Sequence, residues 1–126
     1  MRNLVSTERV VGPIDPLRVA HQVLSAGSRW VQLNHAAKLL EKTERTVLSQ
    51  LTNQVRAADS NLSRREAEDL ARASPEFENH VFAMLEARRE ADLARVTWLA
   101  AQAQIDAMRT AEATRRAEIH AFGGGR

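Results

Sequence analysis

Residues 74–119, SPEFENHVFAMLEARREADLARVTWLAAQAQIDAMRTAEATRRAEI, decide the fold. Serine followed by proline is a helix start, because the hydroxyl accepts from orphan N–H groups and proline lacks only a donor that the first turn does not use. From there Phe77, Met84, Ala91, Trp98, Ile105, Glu112 and Ile119 recur at every seventh residue, with Ala87, Ala94, Ala101 and Met108 as a second row. Two such rows predict one long amphipathic helix over 75–120. Gly123, Gly124 and Gly125 stop it, which leaves 121–126 as a flexible Gly-rich tail.

Upstream, Asp15-Pro16 repeats the start signal. Val19, Val23, Ala26, Trp30, Leu33, Ala37, Leu40, Val47 and Leu51 then follow three- and four-residue steps, broken at Glu44. This predicts a first long helix over 15–58, with a bend at Gly27, where glycine costs about 1 kcal/mol relative to alanine. Asp59 to Ser63 reads as a connection, and Ser63-Arg64-Arg65-Glu66 as a capping box opening a short helix within the hinge 59–74. Residues 1–14 are an N-terminal extension. The expected fold is therefore all-α: two long antiparallel amphipathic helices, a helical hairpin with a short connecting helix, assembling into a helical oligomer. Each long helix spans roughly 65 Å at 1.5 Å per residue, too long for two helices to cover each other's seams alone.

If residues near 58 face those near 75, facing positions sum to about 133. Trp30 then lies beside Ala101 and Ala103, and Trp98 beside His35. The seam charges would find partners too, Glu112 opposite Arg18 and His21, and Glu44 opposite Arg88 and Arg89; the alternative is a seam that is wet at those turns.

Composition excludes several chemistries. Cysteine is absent from the 126 residues, so there are no disulfides or thiolate sites. Histidines 21, 35, 80 and 120 are scattered, without metal-ligand spacing. No nucleophile elbow, P-loop or dinucleotide fingerprint occurs. The expectation is no enzyme, no catalytic residue, no metal and no cofactor. No apolar run approaches the roughly 18 residues of a membrane span, so the chain is expected to be soluble, without membrane contact and in the cytoplasm of a bacterial host. Net charge is +2, and sixteen of the eighteen basic residues are arginine.

Two basic rows are the candidate functional features. Arg88, Arg95, Arg109 and Arg116 share one heptad position beside the second seam, with Gln102 in the gap. Their stems can cover the seam while their heads pair with acids such as Glu41 or Glu90, or they can form a guanidinium ladder that holds phosphate at the centre of an oligomer. On the first helix, Lys38, Lys42, Arg45, Ser49, Thr52 and Arg56 make a polar stripe roughly 27 Å long, with Asn53 at its border and no acid among them. Cations and hydroxyls in that order suit several backbone phosphates. The plainer reading is a solvated face, and stacking platforms are missing because both tryptophans sit on seams.

The layout resembles the UvsY-type phage recombination mediators: an Asp-started first helix with central Trp30, a basic polar stretch from Lys38 to Arg56, a polar hinge, and a C-terminal helix with Trp98, Ile105-Asp106-Ala107-Met108-Arg109 and Arg115-Arg116-Ala117-Glu118-Ile119. The resemblance implies a ring-like homo-oligomer that binds single-stranded DNA and helps load a recombinase onto strands covered by single-strand-binding protein. By position it assigns DNA contact to Lys38, Lys42, Arg45 and Arg56, and assembly to the C-terminal helix with Trp98, Ile105 and Ile119. Trp30, Leu33, Leu40, Met84 and Met108 complete the core or oligomer seam. The alternative is a phage structural, scaffolding or chaperone-like protein acting through protein contacts only.

Overall fold

The computed structural model describes residues 15–123, and these are helical apart from short connections. The N-terminal extension 1–14 and the last residues of the tail lie outside them. Four helical segments follow one another: α1 (Pro16–Lys42), α2 (Glu44–Ala58), α3 (Arg64–Arg72) and α4 (Pro75–Gly123). None is long and apolar enough to cross a membrane.

The expected starts form by their expected chemistry. Asp15 accepts from the Leu17 amide at 3.0 Å. Ser63 and Glu66 close a reciprocal box, each side chain taking the other's amide at 3.1 Å. Ser74 accepts from the Phe77 amide at 3.3 Å while its own hydroxyl donates to the Ala71 carbonyl at 2.6 Å. That double role ties the end of α3 to the start of α4.

The first long helix is interrupted at Thr43, not at Gly27. The Thr43 hydroxyl donates back to the Leu39 carbonyl at 3.0 Å and the Leu40 carbonyl at 3.2 Å, and its ψ opens to 0°. A hydroxyl bonding back one turn favours a bend, although Thr52, Thr97 and Thr110 make the same bond inside unbroken helices, so the bond alone does not account for the interruption. Across the groove, the His80 ring lies 3.1 Å from the same Leu40 carbonyl. Gly27 stays helical for a packing reason. A Cβ there would lie 2.9 Å from Trp98 Nε1 and 3.1 Å from Cδ1, so only glycine lets the indole rest on the α1 backbone.

Packing runs along two fronts: α4 lies along α1, and α2 lies against α3. Residue numbers fall along α1 as they rise along α4. His80 meets Leu40, Arg88 meets Glu41 and Asn34, Trp98 meets Trp30 and Gly27, and Pro16 lies beside Met108 and Glu112. These facing pairs add to roughly 125, about two helical turns from the expected register. The cause is α3. It is not a sideways connection: it runs back beside α2 and makes the first part of the return arm, so the reversal is centred on residues 59–63 rather than between 58 and 75.

The shift corrects the expected pairings. Trp30 and Trp98 face each other instead of alanines and His35, and stack with ring centroids 5.1 Å apart and planes 8° from parallel. Glu112 pairs within its own helix, with Arg115 at 3.3 Å and Arg116 at 3.5 Å, not with Arg18 or His21. Glu44 has no ion pair among the described residues, because Arg88 has been taken by Glu41 one turn earlier. Ile119 lies beyond the start of α1 and is 61% exposed, so it belongs to no seam among the described residues.

The core is thin. Among the described residues, Val19, Ala37, Ala67, Ala71, Phe77, Ala91 and Ala94 are the buried apolar ones, and no large side chain is completely buried. Trp30, Leu33, Leu40, Met84, Trp98, Ile105 and Met108 are half-buried, as expected for two helices with neither roofed by a third.

Candidate nucleic-acid interface

Arg88 settles the first basic row for one of its members. Its Nε and Nη2 donate to the two Glu41 oxygens at 2.8 and 2.9 Å, and Nη1 donates to Asn34 Oδ1 at 2.9 Å. This planar fork is a clamp between α1 and α4, matching the expected pairing with Glu41. The others differ: Arg109 is 3.9 Å from Asp106, Arg116 is 3.5 Å from Glu112, and Arg95 is exposed without an ion pair among the described residues. Within one chain, the four make no continuous guanidinium ladder.

Hydrogen bonds from Arg88, aided by its charge and by that of Lys38, hold the Glu41 carboxyl below its ordinary value of 4.5, and Glu41 in turn raises Arg88. A carboxylate whose folded pKa is depressed adds stability above its unfolded pKa and loses it as pH falls through the folded one. Thermal unfolding of the wild type should therefore drop between about pH 6 and pH 3, and an Arg88→Met variant should lose less over that interval. Equal losses in both would remove the clamp from the acid response. Glu66, lowered by the Ser63 hydrogen bonds, contributes in the same direction and is common to both proteins.

The second row spans the Thr43 break. Lys38 and Lys42 lie on α1, and Arg45, Ser49, Asn53 and Arg56 on α2, all exposed. None of the four cations has a carboxylate within ion-pair distance among the described residues, although Lys38 stands near enough to Glu41 to act on it. Thr52 departs from the expected set. It is 4% exposed beneath α3, and its hydroxyl donates to the Leu48 carbonyl at 2.7 Å. The three- and four-residue spacing places it on the stripe, but α3 covers that edge.

In exchange, α3 brings arginines that the spacing alone did not reveal. Arg64 and Arg72 join Arg45 and Ser49 along a groove of about 260 Å³ between α2 and α3. Arg72 is held by Glu68 at 3.0 Å, and Arg64 has no ion pair among the described residues. The capping box already fixed Arg64 as the first residue of α3. Folding that helix onto α2, rather than leaving it as a spacer, would have predicted the cluster.

Arg18, His21 and Arg29 line a wider groove, about 720 Å³, across from Thr97, Ala100 and Gln104, and no acid borders it. The chain matches no family model, no curated protein and no solved structure.

Proposed function

We propose that this is a non-enzymatic helical protein that binds the phosphate backbone of single-stranded DNA along the α1–α2 edge. In this reading it folds as an antiparallel helical hairpin, acts as a homo-oligomer in the bacterial cytoplasm, and assists recombinase loading on strands covered by single-strand-binding protein, as the UvsY-type resemblance implies. The supporting observation is the unneutralised edge: Lys38, Lys42, Arg45 and Arg56 are exposed along one face without paired carboxylates among the described residues, and Arg64 stands beside them. Cations outside ion pairs can release counterions from phosphate, and Ser49 and Asn53 can donate to phosphate oxygens whatever the base.

The test is a titration of a labelled oligonucleotide at several salt concentrations. Each neutralised phosphate contributes about −0.7 to the log–log slope for single strands, so four cations give a slope near −3. Changing Lys42→Glu and Arg45→Glu together should weaken binding at least about tenfold near 50 mM salt and flatten the slope by about 1.4. No binding at that salt, or a double variant that binds like the wild type, removes the proposal.

A second reading, a scaffolding protein working through protein contacts only, is favoured by one observation. Among the described residues, twelve large apolar side chains are exposed, many of them on the long helices. Self-association without any DNA affinity would select it.

A further inference from the structure

Both long helices are apolar on two opposite faces. With about 100° per residue, Leu17, Leu24, Val31 and Leu39 fall within one arc of α1, directly opposite Val19, Ala26, Trp30 and Ala37, which face α4. They are 67, 71, 59 and 57% exposed. On α4, Phe82, Leu85, Leu93, Val96 and Leu99 gather opposite the side carrying Met84, Ala91, Ala94 and Trp98, and Phe82 is 71% exposed. Each outward stripe presents on the order of 400 to 500 Å² of apolar surface, more than single scattered residues would and comparable to the largest patch a monomer usually carries. Covering one stripe with the other, polar rims included, approaches the roughly 1,200 to 2,000 Å² of a stable interface.

The charges decide which stripe meets which. Residues 16–40 contain Arg18, Arg29 and Lys38 and no acid. The first part of α4, residues 75–92, contains Glu76, Glu78, Glu86, Glu90 and Asp92 against Arg88 and Arg89. Arg88 is committed to Glu41 and stands 3.9 Å from Asp92, and Arg89 holds Glu86 at 3.2 Å, which leaves Glu76, Glu78 and Glu90 without an ion pair among the described residues. Pairing α1 with α1, or α4 with α4, would set like charges along each rim; pairing α1 with α4 sets opposite charges.

We infer that the outward face of α1 docks on the outward face of α4 of a second copy. The contact is heterologous: each chain uses two different surfaces on opposite sides to hold two neighbours, so copies add side by side into a ring or an open row. The inference rests on the assembly part of the proposed function and, Lys38 apart, uses none of the residues placed on DNA.

Two blocked forms of the full chain test it by mass measurement in solution. One carries Leu24→Glu with Val31→Glu, the other Phe82→Glu with Val96→Glu; all four positions are already mostly exposed, and circular dichroism checks that helix content is kept. The wild type should assemble, each blocked form alone should be monomeric, and an equimolar mixture should give one-to-one dimers through the two intact faces. A blocked form that dimerises alone, or a mixture that stays monomeric while the wild type assembles, overturns the head-to-tail contact but not assembly itself. A monomeric wild type at about 100 μM removes both, and leaves the DNA reading to its own titration. Should the glutamate forms lose helicity, Glu78→Lys with Glu90→Lys, which removes no apolar contact and breaks no ion pair among the described residues, should weaken association at least tenfold relative to the wild type; unchanged association then overturns the inference.

Discussion

Replacing Trp98 with alanine should lower the unfolding free energy by about 3 kcal/mol, at the low end for tryptophan-to-alanine changes because the indole is only half-buried. Two contributions are lost together. One is the large apolar area that the ring covers between α1 and α4. The other is the parallel stack on Trp30, at 5.1 Å, for which aromatic pairs give about 0.5 to 1.5 kcal/mol beyond burial. Elsewhere the α1–α4 seam is closed mainly by alanines and half-covered aliphatics, so nothing nearby can fill the space. Denaturant unfolding at fixed protein concentration, followed by helicity, measures the loss, and Trp30 emission should shift to the red as its ring meets water. A loss below about 1 kcal/mol would show that the stack is incidental to the seam.

Gly27→Leu tests the same contact from the other side. Leucine is among the best helix formers, so intrinsic propensity alone predicts a gain of nearly 1 kcal/mol over glycine. The packing predicts the reverse: a Cβ would stand 2.9 Å from Trp98 Nε1, and the ring cannot swing aside without breaking its stack. A net loss of about 2 kcal/mol is expected, within the usual cost of overpacking. In a Trp98→Ala background the sign should reverse, since leucine then meets a vacancy and propensity prevails. The coupling in this double-mutant cycle should be about 3 kcal/mol. A neutral Gly27→Leu in the wild-type background would mean that the helices separate easily there, and the account of Gly27 would be wrong.

The contrast between Gly27 and the caps shows what could be read from the sequence. Asp15, Ser63 and Ser74 act on amides two or three residues away, so their roles are visible in a short window. The seam rows were visible too, because helical periodicity is a local property. Register is not local. It depends on whether residues 64–72 run sideways or in line with the return arm, and that choice moves every facing pair by about two turns. The Trp30–Trp98 stack, the purpose of Gly27 and the freedom of Glu44 all follow from it. Of the basic stripe, spacing alone puts Lys42, Arg45 and Arg56 on one face, and all three are exposed. Spacing gives direction without saying what covers it, so it does not show that α3 buries Thr52 or brings Arg64 and Arg72 beside Arg45. Ile119 illustrates the same limit: it keeps the heptad position, yet it stands past the stretch of α4 that Pro16–Lys42 face.

That overhang gives the molecule a mechanical character. Pro16 lies beside Met108 and Glu112, and α4 continues past it to Gly123, while the turn at 59–63 closes the far end. Tension applied between Asp15 and Gly123 would therefore pull at one end of the seam, peeling α1 from α4 turn by turn instead of sliding the two past each other. The contacts would yield in sequence, one small group at a time, so that a long helical pair can still part under a weak load.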